Sequence, residues 1–126
     1  MSDDDPIFKA LADATRRELL DALRRGPRTT GELCELHPEM SRFGVMAHLK
    51  VLRDAGLVVT VADGRTRLHH LNPVPVRRVY ERWVRPIAQA PAKELLRLQR
   101  VAERRASVPD VRDVRRPARA AAGRSR

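Results

Sequence analysis

The 126-residue sequence predicts a mainly α-helical fold carrying one small β-hairpin. Three observations predict it. Apolar residues recur at spacings of three and four along most of the chain, and capping residues mark where helices start and stop. Two β-rich runs, "LVVTVA" and "RTRLHHL", meet at Asp63-Gly64, a strong two-residue hairpin signal.

The elements follow in order. Ile7, Phe8 and Leu11 form a short apolar stripe behind aspartates whose charge suits the positive end of a helix dipole, giving a first helix. Asp13 is the N-cap of a second helix that turns Leu19, Leu20 and Leu23 inward until Gly26 and Pro27 stop it. Thr29 and Glu32 match a capping box, which opens a short third helix over about residues 30–36 before His37 and Pro38 turn the chain.

The fourth helix has Ser41 as its N-cap and Gly56 just past its end. At about 100° per residue, Val45, His48, Leu49 and Leu52 share one arc, the buried one. Arg42, Phe43, Met46, Ala47, Lys50 and Arg53 occupy another. Charges on an outer face are ordinary, whereas Phe43 and Met46 among them suggest that something lies against that face.

The hairpin carries Arg65 and Arg67 at its tip. Residues 72–75 then open a helix in which Val76, Val79, Tyr80, Trp83, Val84 and Ile87 recur at helical spacing. Pro86 is expected to kink it by removing a backbone donor and crowding the carbonyl of Arg82. Leu95, Leu98 and Ala102 mark a last helix reaching about residue 105. Residues 1–106 are thus expected to form one domain, and 107–126 a disordered basic tail.

Charge is uneven along this chain. Residues 1–40 are net acidic, the positive excess begins at Ser41, and the whole carries +10, with Arg outnumbering Lys. Such a balance points to a polyanionic partner, nucleic acid before anionic membrane. The single Cys34 forms no internal bridge, the N-terminus lacks secretory features, and no apolar run is long enough to span a membrane. The expected place is the cytoplasm, on the nucleoid.

Helix, helix, short helix, turn, exposed-face helix and hairpin is the order of a winged helix-turn-helix. The pieces "LADATRRELLDAL", "TTGEL", "HLKVLRDAGLV" and the "DGR" wing stand in the order and spacing of the ArsR family of bacterial transcriptional regulators, which residues 10–72 resemble. The segment "NPVPVRRVYERWVRPI" is similar to a subgroup without the usual metal ligands.

The resemblance implies a dimeric repressor that binds double-stranded DNA at a palindromic operator. Ser41, Arg42, Phe43, Gly44, Met46, Ala47 and Lys50 would then form the recognition helix. There Arg42 suits guanine, Phe43, Met46 and Ala47 suit thymine methyl groups, and Lys50 suits phosphate. Gly44 would let the helix backbone approach DNA closely. Arg65 and Arg67 would reach the minor groove or its phosphates, and Thr29 and Thr30 are phosphate-contact candidates at a helix start. The family dimerises through its first and fifth helices, which assigns Ile7, Phe8, Val76, Val79, Tyr80, Trp83, Val84 and Ile87 to the interface.

Two other readings use the same residues. Metal-responsive members carry a Cys-x-Cys or carboxylate and His ligands, so Cys34 raises a metal- or redox-responsive sensor. Cys34 with His37 is only half of a tetrahedral site, and a structural Cys beside a turn His is the expected reading, with no metal and no cofactor. A basic RNA-binding protein would show aromatic residues on its strands, and neither hairpin run has one. No phosphate loop, no carboxylate pair and no Cys–His arrangement beyond Cys34 with His37 suggests an enzyme. The sequence names no effector.

Overall fold

The computed structural model describes residues 3–106, so the expected tail over 107–126 lies outside the described residues. The chain forms two compact units, one through Pro86 and one from Ile87.

The first unit begins with α1 (Asp5–Leu11) and α2 (Ala14–Leu23). Asp13 caps α2, its carboxylate accepting the Arg16 N–H at 3.0 Å. Arg16 itself holds the turn between the two helices. Its guanidinium donates to the carbonyls of Ala10 (2.8 Å) and Lys9 (3.0 Å) in the last turn of α1, and reaches His48 Nδ1 at 3.3 Å. Asp13's carboxyl sits below its ordinary value; burial opposes this, but the Arg16 backbone bond and the Arg16 and His48 charges prevail.

Next comes a strand that the sequence did not reveal, β1 (Arg28–Thr29), followed by α3 (Thr30–Glu35). The capping box is present in full: the Glu32 N–H donates to Thr29 Oγ1 at 3.1 Å, and the Thr29 N–H donates to Glu32 Oε1 at 2.8 Å. α4 (Arg42–Asp54) starts on Ser41, whose Oγ accepts the Gly44 N–H at 3.0 Å. It ends on Gly56, at φ +79°, with Gly56 N–H to Arg53 O and Leu57 N–H to Leu52 O, both 2.9 Å. Those two bonds make a Schellman stop, for which glycine is the low-strain residue.

β2 (Val58–Asp63) and β3 (Thr66–Leu71) form the hairpin, and β3 pairs on its other side with β1, so the sheet runs β1-β3-β2, all antiparallel. Asp63 pairs with Thr66, so the two-residue turn is Gly64-Arg65 and not the expected Asp63-Gly64. With φ +63° at Gly64 and no positive φ at Arg65, the turn has the sign pattern of type II′, which wants glycine first. One residue of register decides the faces: Thr60 and His69 turn inward, and Val59, Val61, Leu68 and His70 share the outer face.

α5 (Val74–Val79) follows Asn72, whose Oδ1 accepts the Val74 N–H at 3.2 Å, whose Nδ2 donates to Gly56 O at 3.0 Å, and whose backbone N–H donates to Leu57 O at 2.8 Å. A π-helical turn (Tyr80–Val84) then precedes α6 (Arg85–Ala88), with the Arg85 N–H reaching back to Tyr80 O. The strain expected at Pro86 is thus met by an extra residue in the turn before it, a recognised way to accommodate a missing donor. The second unit contains α7 (Lys93–Arg104).

Ile7, Ala10, Leu19, Leu23, Leu33, Val45, Leu49, Leu52, Leu57, Val58 and Val79 form the core of the first unit. Each large aliphatic side chain in it stabilises the fold by roughly 1.5–3 kcal/mol through burial alone. Two of these, Ile7 and Val79, are expected from the sequence at a dimer surface. They face inward instead: one side of α1, with Ile7, lies on α2 and α4, and α5, with Val79, packs against α1.

Candidate nucleic-acid interface

α4 is anchored by its rear. Val45, Leu49 and Leu52 are fully buried, and α2, α3 and β2 pack against the helix. Arg42, Phe43, Met46, Ala47 and Lys50 are all exposed on one continuous arc of about 140°. Phe43 is 85% exposed and Met46 46%, although burying either would stabilise the fold. Arg53, expected on this arc, is half-buried, and His48, on the buried arc, is half-buried beside Arg16.

The arc also contains an acid that sequence reading did not weigh. Asp54 accepts from Lys50 Nζ at 2.9 Å, an i,i+4 pair on the exposed side. Lys50 must leave this partner to meet a phosphate. Lys50 and Asp54 four apart was the available signal, though such surface pairs rarely count for much.

Gly44 proves to have a neighbour within its own chain. A Cβ there would stand 2.7 Å from Met40 Cγ and 3.2 Å from Met40 Sδ, so glycine makes room for Met40 rather than for DNA. Met40 in turn packs against the core.

Thr29 and Thr30 are also placed differently from their expected role. Thr29's hydroxyl is occupied in the capping box, with the Glu32 carboxylate beside it. Thr30 is 7% exposed, and its hydroxyl lies 2.8 Å from His69 Nε2. His69 is 1% exposed and meets Thr60 Oγ1 at 2.8 Å through its other ring nitrogen. Burial pushes the imidazole below its ordinary value, and the charges of Arg53, Arg67 and His70 push it further. A neutral imidazole therefore bolts the start of α3 to both strands of the hairpin. Adjacent His69 and His70 disguised this, since either parity of "TRLHHL" puts one Leu and one His inward.

In the hairpin, Arg65 sits in the turn itself and Arg67 two residues along β3, both exposed. The remaining surface candidates of the first unit, Phe8, Val76, Tyr80, Trp83 and Val84, are exposed. Trp83 donates to Asp4 Oδ2 at 2.8 Å, Arg78 stands 3.5 Å from Asp4, and Arg82 stacks 4.0 Å over the Trp83 ring. Ile87 belongs to the second unit and is also exposed.

The residues do not suit a metal ion. Cys34 is half-buried against the core, and His37 gives Nδ1 to Glu39 at 3.1 Å, with Glu18 at 3.7 Å. Among the described residues no group of three His, Cys, Asp or Glu is placed to hold one. No helix among them is long and apolar enough to cross a membrane.

A three-helix body that presents one helix by its outer face, beside a β-hairpin tipped with arginine, defines a winged helix-turn-helix protein. Comparison with known proteins agrees. A helix-turn-helix domain model matches residues 11–61. The chain is 37% identical over 86 residues to the HTH-type transcriptional regulator YuzN of Bacillus subtilis, covering 64% of this chain and 94% of that protein. It is 35% identical over 66 residues to the transcriptional repressor SdpR of the same organism, covering 52% and 72%. A crystal structure of an ArsR family transcriptional regulator superimposes with a TM-score of 0.64 at 35% identity, covering 70% of this chain and 94% of that one. The chain belongs to the ArsR family of helix-turn-helix transcriptional regulators.

Proposed function

We propose that the protein is a homodimeric repressor that recognises a palindromic operator in duplex DNA. The observation that carries this reading is the division of α4: Val45, Leu49 and Leu52 are buried in the core, while Arg42, Phe43, Met46 and Lys50 are left to solvent. Arg42 reads guanine by a two-pronged bond, Phe43, Met46 and Ala47 pack on thymine methyl groups, and Lys50, Arg65 and Arg67 hold the backbone or the minor groove. The sense of regulation follows the relatives named as repressors, SdpR and the probable mercury resistance operon repressor of Streptomyces lividans.

Dimerisation is proposed through the exposed Phe8, Tyr80, Trp83 and Val84. Aromatic residues around an ion-paired Asp4 make an amphipathic surface of the kind two-fold interfaces use. Two copies of α4 then face successive major grooves about 34–36 Å apart.

Selection of bound fragments from genomic DNA by the purified chain tests the reading, and it should recover an inverted repeat. On that repeat Arg42→Ala should weaken binding by about 1–3 kcal/mol and relax preference at one base pair. Equal losses on cognate and scrambled duplexes would make Arg42 a phosphate contact, and stronger binding to RNA than to duplex DNA would end the proposal.

A further inference from the structure

The second unit has a charge pattern that the recognition helix and wing do not use. On α7, Lys93, Arg97, Arg100 and Arg104 follow at intervals of four, three and four. On a helix that spacing gathers them on one arc of about 60°, along about 16 Å of axis. All are exposed. Leu95, Leu98 and Ala102 gather roughly on the opposite side, and Leu96 lies outside both stripes.

The pattern is not a mixed-sign solvated face. Glu94, which pairs with Arg97, and Glu103 stand off the basic arc, and no ion pair is formed by Lys93, Arg100 or Arg104 among the described residues. Residues 87–126 hold 11 Lys and Arg against 4 Asp and Glu, a net +7 of the +10 on the chain, although they are less than a third of its length. The recognition helix itself carries fewer unpaired cations, since Lys50 is paired with Asp54.

We infer that the basic stripe of α7 is a second, sequence-independent contact to duplex DNA, which binds phosphates outside the base pairs read by α4. The occupant is chosen by charge. Duplex DNA presents a phosphate about every 3.4 Å per strand, so a row of cations 16 Å long meets several, and each phosphate met releases condensed counterions. Tethered in the same chain as α4, the stripe acts at high effective concentration once the operator is engaged and adds affinity without changing which bases are preferred.

The inference rests on the DNA-binding reading, and its test separates the two. Fluorescence anisotropy of the full chain on a random-sequence duplex, between about 50 and 200 mM salt, gives the slope of log affinity against log salt. Substitution of Lys93, Arg97, Arg100 and Arg104 together by Gln should lower the magnitude of that slope by about 3 per bound chain, at roughly 0.9 for each phosphate no longer neutralised. A second variant, Arg97→Lys with Arg100→Lys and Arg104→Lys, should keep the slope, because it keeps the charge. Preference for the selected repeat over random duplex should stay the same in the Gln variant, because a sequence-independent contact contributes equally to both. A slope lowered by less than about 2, with operator binding intact, overturns the inference and leaves the regulator reading standing. Cosedimentation with phosphatidylglycerol vesicles that depends on these residues, beside an unchanged DNA slope, also overturns it and assigns the stripe to a membrane surface. A wild-type chain with no affinity for duplex DNA overturns both readings.

Discussion

Replacing Thr30 by Val keeps the shape of a buried side chain and deletes one hydroxyl. That hydroxyl is 2.8 Å from His69 Nε2, where Thr30 is 7% and His69 1% exposed, so water does not reach the nitrogen to replace it. An imidazole nitrogen stranded in such a place costs about 1–3 kcal/mol. For a unit of fewer than a hundred residues, a loss of 2 kcal/mol lowers the melting temperature by roughly 8–16 °C. Thermal and urea unfolding followed by circular dichroism at pH 7.5 measure it.

The same contact predicts an acid response. His69 is held below the ordinary histidine value of about 6.5, so below that pH the unfolded chain takes up a proton that the folded chain refuses. Stability should therefore be full above pH 6.5 and decline as the pH falls from there toward the lowered folded value, and His69→Leu should flatten the decline. A Thr30→Val loss under about 0.5 kcal/mol, or equal acid slopes with and without His69, would refute the idea of a neutral imidazole bolting α3 to the hairpin.

Two further outcomes follow from α4. Gly44→Ala should stabilise the fold by about 1 kcal/mol only in a Met40→Ala background, where the 2.7 Å clash with Met40 Cγ is gone, and a urea double-mutant cycle showing equal effects in both backgrounds would contradict this. Asp54→Asn should release Lys50 and remove a negative charge from the exposed arc, tightening binding to random duplex several-fold at low salt, as gel shift or anisotropy would report; unchanged affinity would place Lys50 off the backbone.

Features written in neighbouring residues were legible in advance. Asp13, the Thr29–Glu32 pair, Ser41 and Gly56 act on bonds three to five residues away, so their side chains announce themselves. The division of α4 was legible for the same reason, since its period is local. Features set by distant partners were hidden. β1 exists only because Arg28 and Thr29 pair with His69 and Leu68, about forty positions on. The parity of β3 depends on what Thr30 and Thr60 offer to His69. Likewise a helical wheel assumes 3.6 residues per turn, and the π turn over Tyr80–Val84 breaks that phase, dividing a stripe that looked continuous into buried Val79 and exposed Ile87.

Asn72 ties the two helices on either side of the hairpin to each other. One side chain and its own backbone N–H grip the stop of α4 and the start of α5 together, through Gly56, Leu57 and Val74. In the proposed dimer this couples the groove-reading surface to the two-fold axis as a fixed calliper. One base pair added between half-sites moves them about 3.4 Å apart and turns them by about 35°. Under the proposed function, a tie of this kind resists such a shift, so the spacing of the half-sites, as well as their sequence, would depend on the bonds that Asn72 makes.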